Sequence, residues 1–279
     1  MKFLDGIRVV TLAVNLPGPI AAARLAKLGA TVIKIEPPNG DPLASLAPRW
    51  YAELTGQQEI VTLDLRRESD RAVLAVRLTE ADLLITSMRP SALRRLHLRS
   101  AHEKHSNLSH VEIVGHDEEL EDVPGHDLTY QAAHGTLQPP LMPTVPVADL
   151  LGAERAVSAA LLALRAKDDT GIGQHHRVVL DHAAADAGAA VRHHLVGEGA
   201  PLGGAIPTYG IYATADGYVA LGALEPHFRR RTLDALVVAD SREQLERVFA
   251  TESTAHWQAL AVQIDIPLVG IRDPTVEVA

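Results

Sequence analysis

Short apolar, β-branched runs alternate with stretches of helical spacing through the first half of this chain. Residues 7–14 form the first such run, and Leu16-Pro17-Gly18-Pro19 interrupts it. Residues 20–28 then repeat apolar side chains at three- and four-residue intervals up to Gly29, a glycine in the position of a helix stop. A second apolar run, 31–35, ends at Pro37-Pro38. Two buried-type strands flanking one helix make a βαβ unit, which places both strands parallel in one sheet. The alternation goes on with a strand at 59–65, a helix at 69–81 opened by Ser69, a strand at 82–87, a short helix at 91–96 behind Pro90 and a strand at 111–114.

From residue 150 to 166 the chain is almost uniformly apolar or small, with Glu154 and Arg155 as interruptions, so a helix packed on most faces is expected. A turn at 168–174, a strand at 176–180 and a helix at 181–196 follow. After the glycine-rich stretch 197–204, the runs 209–214 and 218–221 surround Asp216-Gly217, the signature of a β-hairpin. Helical spacing returns at 226–236, at 242–250 and, opened by Ser253, through 257–264. The pattern predicts an α/β protein, with a Rossmann-like parallel sheet in a large domain over 1–196 and a smaller α+β domain over 197–279. Leu16-Pro17-Gly18-Pro19 is not a GxGxxG fingerprint, so a nicotinamide site is not expected.

Composition removes several functions from this picture. A net charge of −9 without a basic block argues against nucleic acid, which needs a cationic surface. Arg229-Arg230-Arg231 reads as a solvated helix face, and the acidic run from Asp117 to Asp122 as a solvated loop. With no cysteine, thiolate metal sites and thiol catalysis are out of reach. No stretch of about 18 apolar residues suggests a membrane span, and the opening residues lack a signal peptide's apolar run, so a cytoplasmic location is expected. His175-His176 and His193-His194 are sequence neighbours whose side chains point apart on a strand or helix, so no metal site is assigned. Aromatics at 4% leave the core to small aliphatic side chains.

Two ionisable groups stand where fixed backbone can present them to a cavity. His126 follows the Pro124-Gly125 breaker, and Asp149 lies at the start of the apolar helix, although turn or cap duty is the commoner reason for either residue there. A wider pattern sets them apart. The opening Gly6-Ile7-Arg8-Val9-Val10, Leu16-Pro17-Gly18-Pro19 and the run from Leu28 to Pro42, with Arg89-Pro90, Thr170-Gly171-Ile172-Gly173-Gln174 and Thr214-Ala215-Asp216-Gly217 in order behind them, resemble the family III CoA-transferases. Gly125-His126-Asp127 and Gly222-Ala223-Leu224-Glu225-Pro226 resemble the α-methylacyl-CoA racemase branch of that family.

The resemblance implies an acyl-CoA thioester as substrate, no permanently bound cofactor, and a homodimer of interlocked chains. It implies His126 and Asp149 as the two bases that exchange the proton α to the thioester, with Glu225 orienting His126. It also implies Arg89, Lys34 and Pro37 as CoA contacts. The helix start is expected to favour ionised Asp149 through its dipole and to offer an amide to the enolate oxygen. A CoA-transferase with Asp149 as nucleophile is the second expectation, and a catalytically silent binding or assembly subunit the third. The chain also stops before a segment that ordinarily returns to the large domain, so that closing element is expected to be absent.

Overall fold

A computed structural model describes residues 2–273. The chain divides into two compact units, Met1–Gly188 and Ala189–Ala279. In the first, β1 (Arg8–Thr11), α1 (Pro17–Lys27), β2 (Thr31–Glu36), α2 (Pro42–Leu46), α3 (Pro48–Thr55) and β3 (Gln58–Thr62) come in that order. They are followed by α4 (Glu68–Thr79), β4 (Leu83–Thr86), α5 (Pro90–Arg95), α6 (Ala101–Lys104), β5 (Ser109–Val114), α7 (Asp127–Ala133), α8 (Val147–Thr170), β6 (His175–Val179) and α9 (Leu180–Ala187).

The six strands form one parallel sheet in the order β3-β2-β1-β4-β5-β6. Chain order reverses between β1 and β4. Such a switch point opens a crevice at the carboxyl ends of the two strands, because the connections leave it in opposite directions.

Alternate strand residues feed two cores. Val9, Leu83, Ile85, Val111 and Ile113 pack against α1, α8 and α9, while Val10, Leu12, Ile35 and Leu84 pack against α4, α5 and α6 on the opposite face. Alanine replaces aromatic bulk in this packing: Ala148, Ala153, Ala156, Ala160 and Ala163 of α8 are fully buried, which lets the helix lie close to the sheet.

The interruption at Leu16-Pro17-Gly18-Pro19 proves to be the first turn of α1. A proline at the start of a helix lacks only an N–H that would have no partner there, so the same residues that end a strand can begin a helix. Gly18 is required by proximity, since a Cβ on it would lie 2.1 Å from that of Ala13.

The second unit contains α10 (Ala189–Arg192), β7 (Tyr209–Ala213), β8 (Tyr218–Gly222), α11 (Pro226–Leu236), α12 (Arg242–Phe249), α13 (Thr254–Ile264) and β9 (Leu268–Gly270). The expected hairpin is present as β7 and β8, and β9 adds a third antiparallel strand to β8. Tyr212, Val219, Leu245, Phe249 and Trp257 fill its core. The stretch 181–196, read as one helix, is broken at Gly188 into α9 and α10. Among the described residues no helix is long and apolar enough to cross a membrane.

Candidate active site

The loops behind β1, β4 and β5 enclose a cleft of about 600 Å³ at the switch point. Asn15 lies on its rim behind β1, Arg89 behind β4 and Gly115 behind β5, with His126, Tyr130 and Asp149 also in its lining. All of its residues belong to the first unit. Arg95, which the sequence did not single out, lines it too, about one and a half helical turns beyond Arg89 on α5. A larger hollow of about 840 Å³ in the second unit has Arg242 in its lining but no carboxylate or imidazole.

His126 is exposed and caps α7, a helix the sequence pattern did not reveal. Its N–H donates to Thr129 Oγ1 (3.1 Å), and the Thr129 hydroxyl donates back to its carbonyl (2.8 Å), which fixes the backbone below the imidazole. The preceding glycine is a steric necessity. A Cβ on Gly125 would meet the Tyr130 ring at 2.5 Å, and one on Gly115 would meet the Tyr130 hydroxyl at 2.3 Å.

Asp149 is the third residue of α8 rather than a residue before it. Its neighbour Asp127, buried at 9% exposure, accepts from the N–H of Ala148 (2.8 Å) and of Asp149 (3.2 Å), and takes a third bond from Gln131 Nε2 (2.6 Å). Asp127 is therefore the outside cap of α8, and it ties α7 to that helix.

This cap overturns two expectations. The amides of Ala148 and Asp149 are already bonded, the N–H of Leu150 is bonded to the Pro146 carbonyl (3.0 Å), and the first turn has no such donor left for an enolate oxygen. Nor is ionised Asp149 favoured: burial first, and the negative charge of Asp127 second, push its carboxyl up to about 7. Desolvation and a like charge outweigh the helix dipole, whose effect is typically below about 1 kcal/mol.

Lys34 and Pro37 are not in the lining of the cleft. Lys34 is fully buried, with Nζ donating to Asp41 Oδ2 (2.7 Å) and to the Ala13 carbonyl (3.0 Å) and lying 3.4 Å from Glu36. A cation already held by two carboxylates and a carbonyl has no donor direction for a phosphate. Instead it orients Asp41, whose Oδ1 accepts from the N–H of Asn15 (3.0 Å) and so pins the loop behind β1. Arg89 stands exposed in the lining at the start of α5. Glu225 belongs to the second unit, where it is exposed and caps α11, its carbonyl accepting from Arg229 N–H (2.9 Å). No group of three or more His, Asp or Glu among the described residues is arranged to hold a metal ion.

A family model described as CoA-transferase family III matches residues 4–276. The chain is 33% identical over 149 residues to cinnamoyl-CoA:phenyllactate CoA-transferase of Clostridium sporogenes, covering 48% of this chain and 36% of that one. To the α-methylacyl-CoA racemase of Mus musculus it is 27% identical over 293 residues, covering 91% of this chain and 74% of the other, and the racemase is one of several distant relatives. The chain spans about half the length, or less, of the curated transferases it matches first. Among solved structures, a hypothetical protein of Mycobacterium tuberculosis superposes with a TM-score of 0.85 at 21% identity, over 98% of this chain and 86% of that one, which establishes the fold.

Proposed function

Because the chain belongs to CoA-transferase family III, we propose that it works on acyl-CoA thioesters and that His126 and Asp149 exchange the proton on the carbon α to the thioester carbonyl. One observation carries this reading: both groups line one cleft, and the Asp149 carboxyl is pushed up to about 7. A group with that value is divided between acid and carboxylate near neutrality, the condition under which it can take a proton in one direction and give one in the other.

In the proposed step one base removes the α-proton, and the C–H electron pair moves into the thioester to give an enolate. The conjugate acid of the other then delivers a proton to the opposite face. The α-carbon is inverted, and no net oxidation or reduction occurs. Arg89 and Arg95 bring positive charge to the cleft for the phosphates of CoA. Glu225 enters the reading through its motif alone, as the carboxylate that would orient His126.

The test is deuterium uptake at the α-carbon of a 2-methylacyl-CoA in heavy water, followed by NMR. The proposal requires uptake by the native protein and its loss in both His126→Ala and Asp149→Ala. Uptake that persists in both variants refutes these assignments.

A second reading is favoured by the names of the relatives. Cinnamoyl-CoA:phenyllactate CoA-transferase is among several transferases the chain resembles, and in that chemistry Asp149 attacks the acyl-CoA carbonyl and CoA leaves as the thiolate. It predicts a hydroxylamine-sensitive adduct on Asp149 when acyl-CoA is added, and CoA transfer once an acceptor carboxylate is supplied.

A further inference from the structure

The acidic run read as a solvated loop is bonded from both sides. Arg177, on β6, spends all three guanidinium nitrogens on different carboxylates: Nε on Glu112 Oε2 (3.3 Å), Nη1 on Asp117 Oδ1 (2.7 Å) and Nη2 on Glu121 Oε2 (2.6 Å). Glu112 is fully buried on the neighbouring strand β5, so the arginine stands on a fixed base. From the other side Arg94 and Arg99 also bond Glu121, and Arg94 bonds Asp122 (2.7 Å). Asp122 in turn accepts from the N–H of Ser91 (2.8 Å) at the first turn of α5, the helix that starts behind Arg89.

These bonds bracket the segment between the end of β5 and His126. Glu121, Val123, Pro124, Gly125 and His126 all line the cleft. We propose that Arg177 is a positioning residue, which holds this wall of the cleft, and through it His126, in the geometry the reaction needs. The proposal rests on the reading of His126 given above. A lysine has one point charge and no planar fork, so it cannot hold three carboxylates in these directions.

The informative variant is the double substitution Asp117→Asn with Glu121→Gln. It takes the negative charge from both loop partners of Arg177, and with it the charge of Glu121 toward Arg94 and Arg99, while leaving the Arg177 pair with buried Glu112 intact, and the amide oxygen introduced by Asp117→Asn can still accept from the Glu118 N–H, now bonded to Asp117 at 2.9 Å. Arg177→Lys is its companion. The readouts are the folded fraction by circular dichroism, the imidazole resonance of His126 assigned with His126→Gln, and kcat and KM for α-proton exchange of a 2-methylacyl-CoA.

The expected result is a folded protein whose His126 resonance shifts or broadens, with kcat reduced at least tenfold and KM changed less than threefold. Arg177→Lys is expected to fall between the native protein and the double variant. Folded variants with an unchanged His126 resonance and unchanged kcat would overturn the proposal. Should the native protein itself catalyse no exchange, the proposed function fails, and the His126 resonance alone decides the positioning role.

Discussion

At the scale of single residues, Asp149 and Lys34 show how burial decides what a charged group can do. Asp149 has an ordinary carboxylate's value in the unfolded chain and about 7 in the fold. Below about pH 4 both states hold the proton and the group has no effect on stability. Between about 4 and 7 the unfolded chain releases the proton that the fold retains, so stability falls as pH rises, and the loss is complete above about 7. Asp149→Asn should therefore be more stable than the native protein at pH 8, by on the order of 1–3 kcal/mol, and equal to it near pH 4. Urea unfolding at the two pH values checks this, and a variant no more stable at pH 8 would show that the carboxyl is not held up. Lys34 has the opposite character. Lys34→Met leaves Asp41 and Glu36 as buried charges without their cation and should cost about 3–5 kcal/mol. A CoA-contact role would instead leave the unfolding midpoint in place and weaken CoA binding, and calorimetry with CoA separates the two.

At the scale of elements, the parallel strands and their helices were legible because continuous β-branched runs and helical spacing are local signals. The α2 and α3 helices were not: they are five and eight residues long, too short for a helical spacing to stand out, and each opens on a proline, Pro42 or Pro48. The α7 helix is only seven residues long and its Gly-His-Asp start reads as a turn. The capping role of Asp127 and the bridge from Arg177 to Glu121 were invisible for another reason: their partners lie 21 and 56 residues away. The His126 and Asp149 candidates came from motif order, and their shared cleft from strand order. Strands β5 and β6 carry a further consequence. His110 is fully buried, with Nε2 2.9 Å from Thr86 Oγ1, and burial pushes its imidazole down to about 3. His102 and His175 lie against it, with ring centroids 6.2 and 5.1 Å away. The unfolded chain binds a proton at His110 as pH falls below about 6.5 while the fold refuses it, so stability drops on acidification. Between pH 6.5 and 5 this amounts to about 2 kcal/mol. In His110→Gln the drop should be shallower, and an unchanged slope in pH-dependent unfolding would contradict the assignment.

At the scale of the whole molecule, a net charge of −9 opposes any phosphate-bearing ligand, so affinity must come from local cations. Arg89 and Arg95 are the arginines in the cleft lining. The double substitution Arg89→Gln with Arg95→Gln should weaken CoA binding at least tenfold in calorimetry, whereas an unchanged affinity would move the phosphates elsewhere. The proposed function assigns proton transfer to the cleft at the β1/β4 switch point, with Asp149 poised near neutrality. Its direct test is the rate of α-deuterium uptake into a 2-methylacyl-CoA from pH 5 to 9, for the native protein and Asp149→Asn. A native profile with an inflection near pH 7 is expected, together with a loss of at least about 100-fold in the variant, within the range of general acid–base catalysis. A variant that exchanges at the native rate, with the same profile, would contradict the claim.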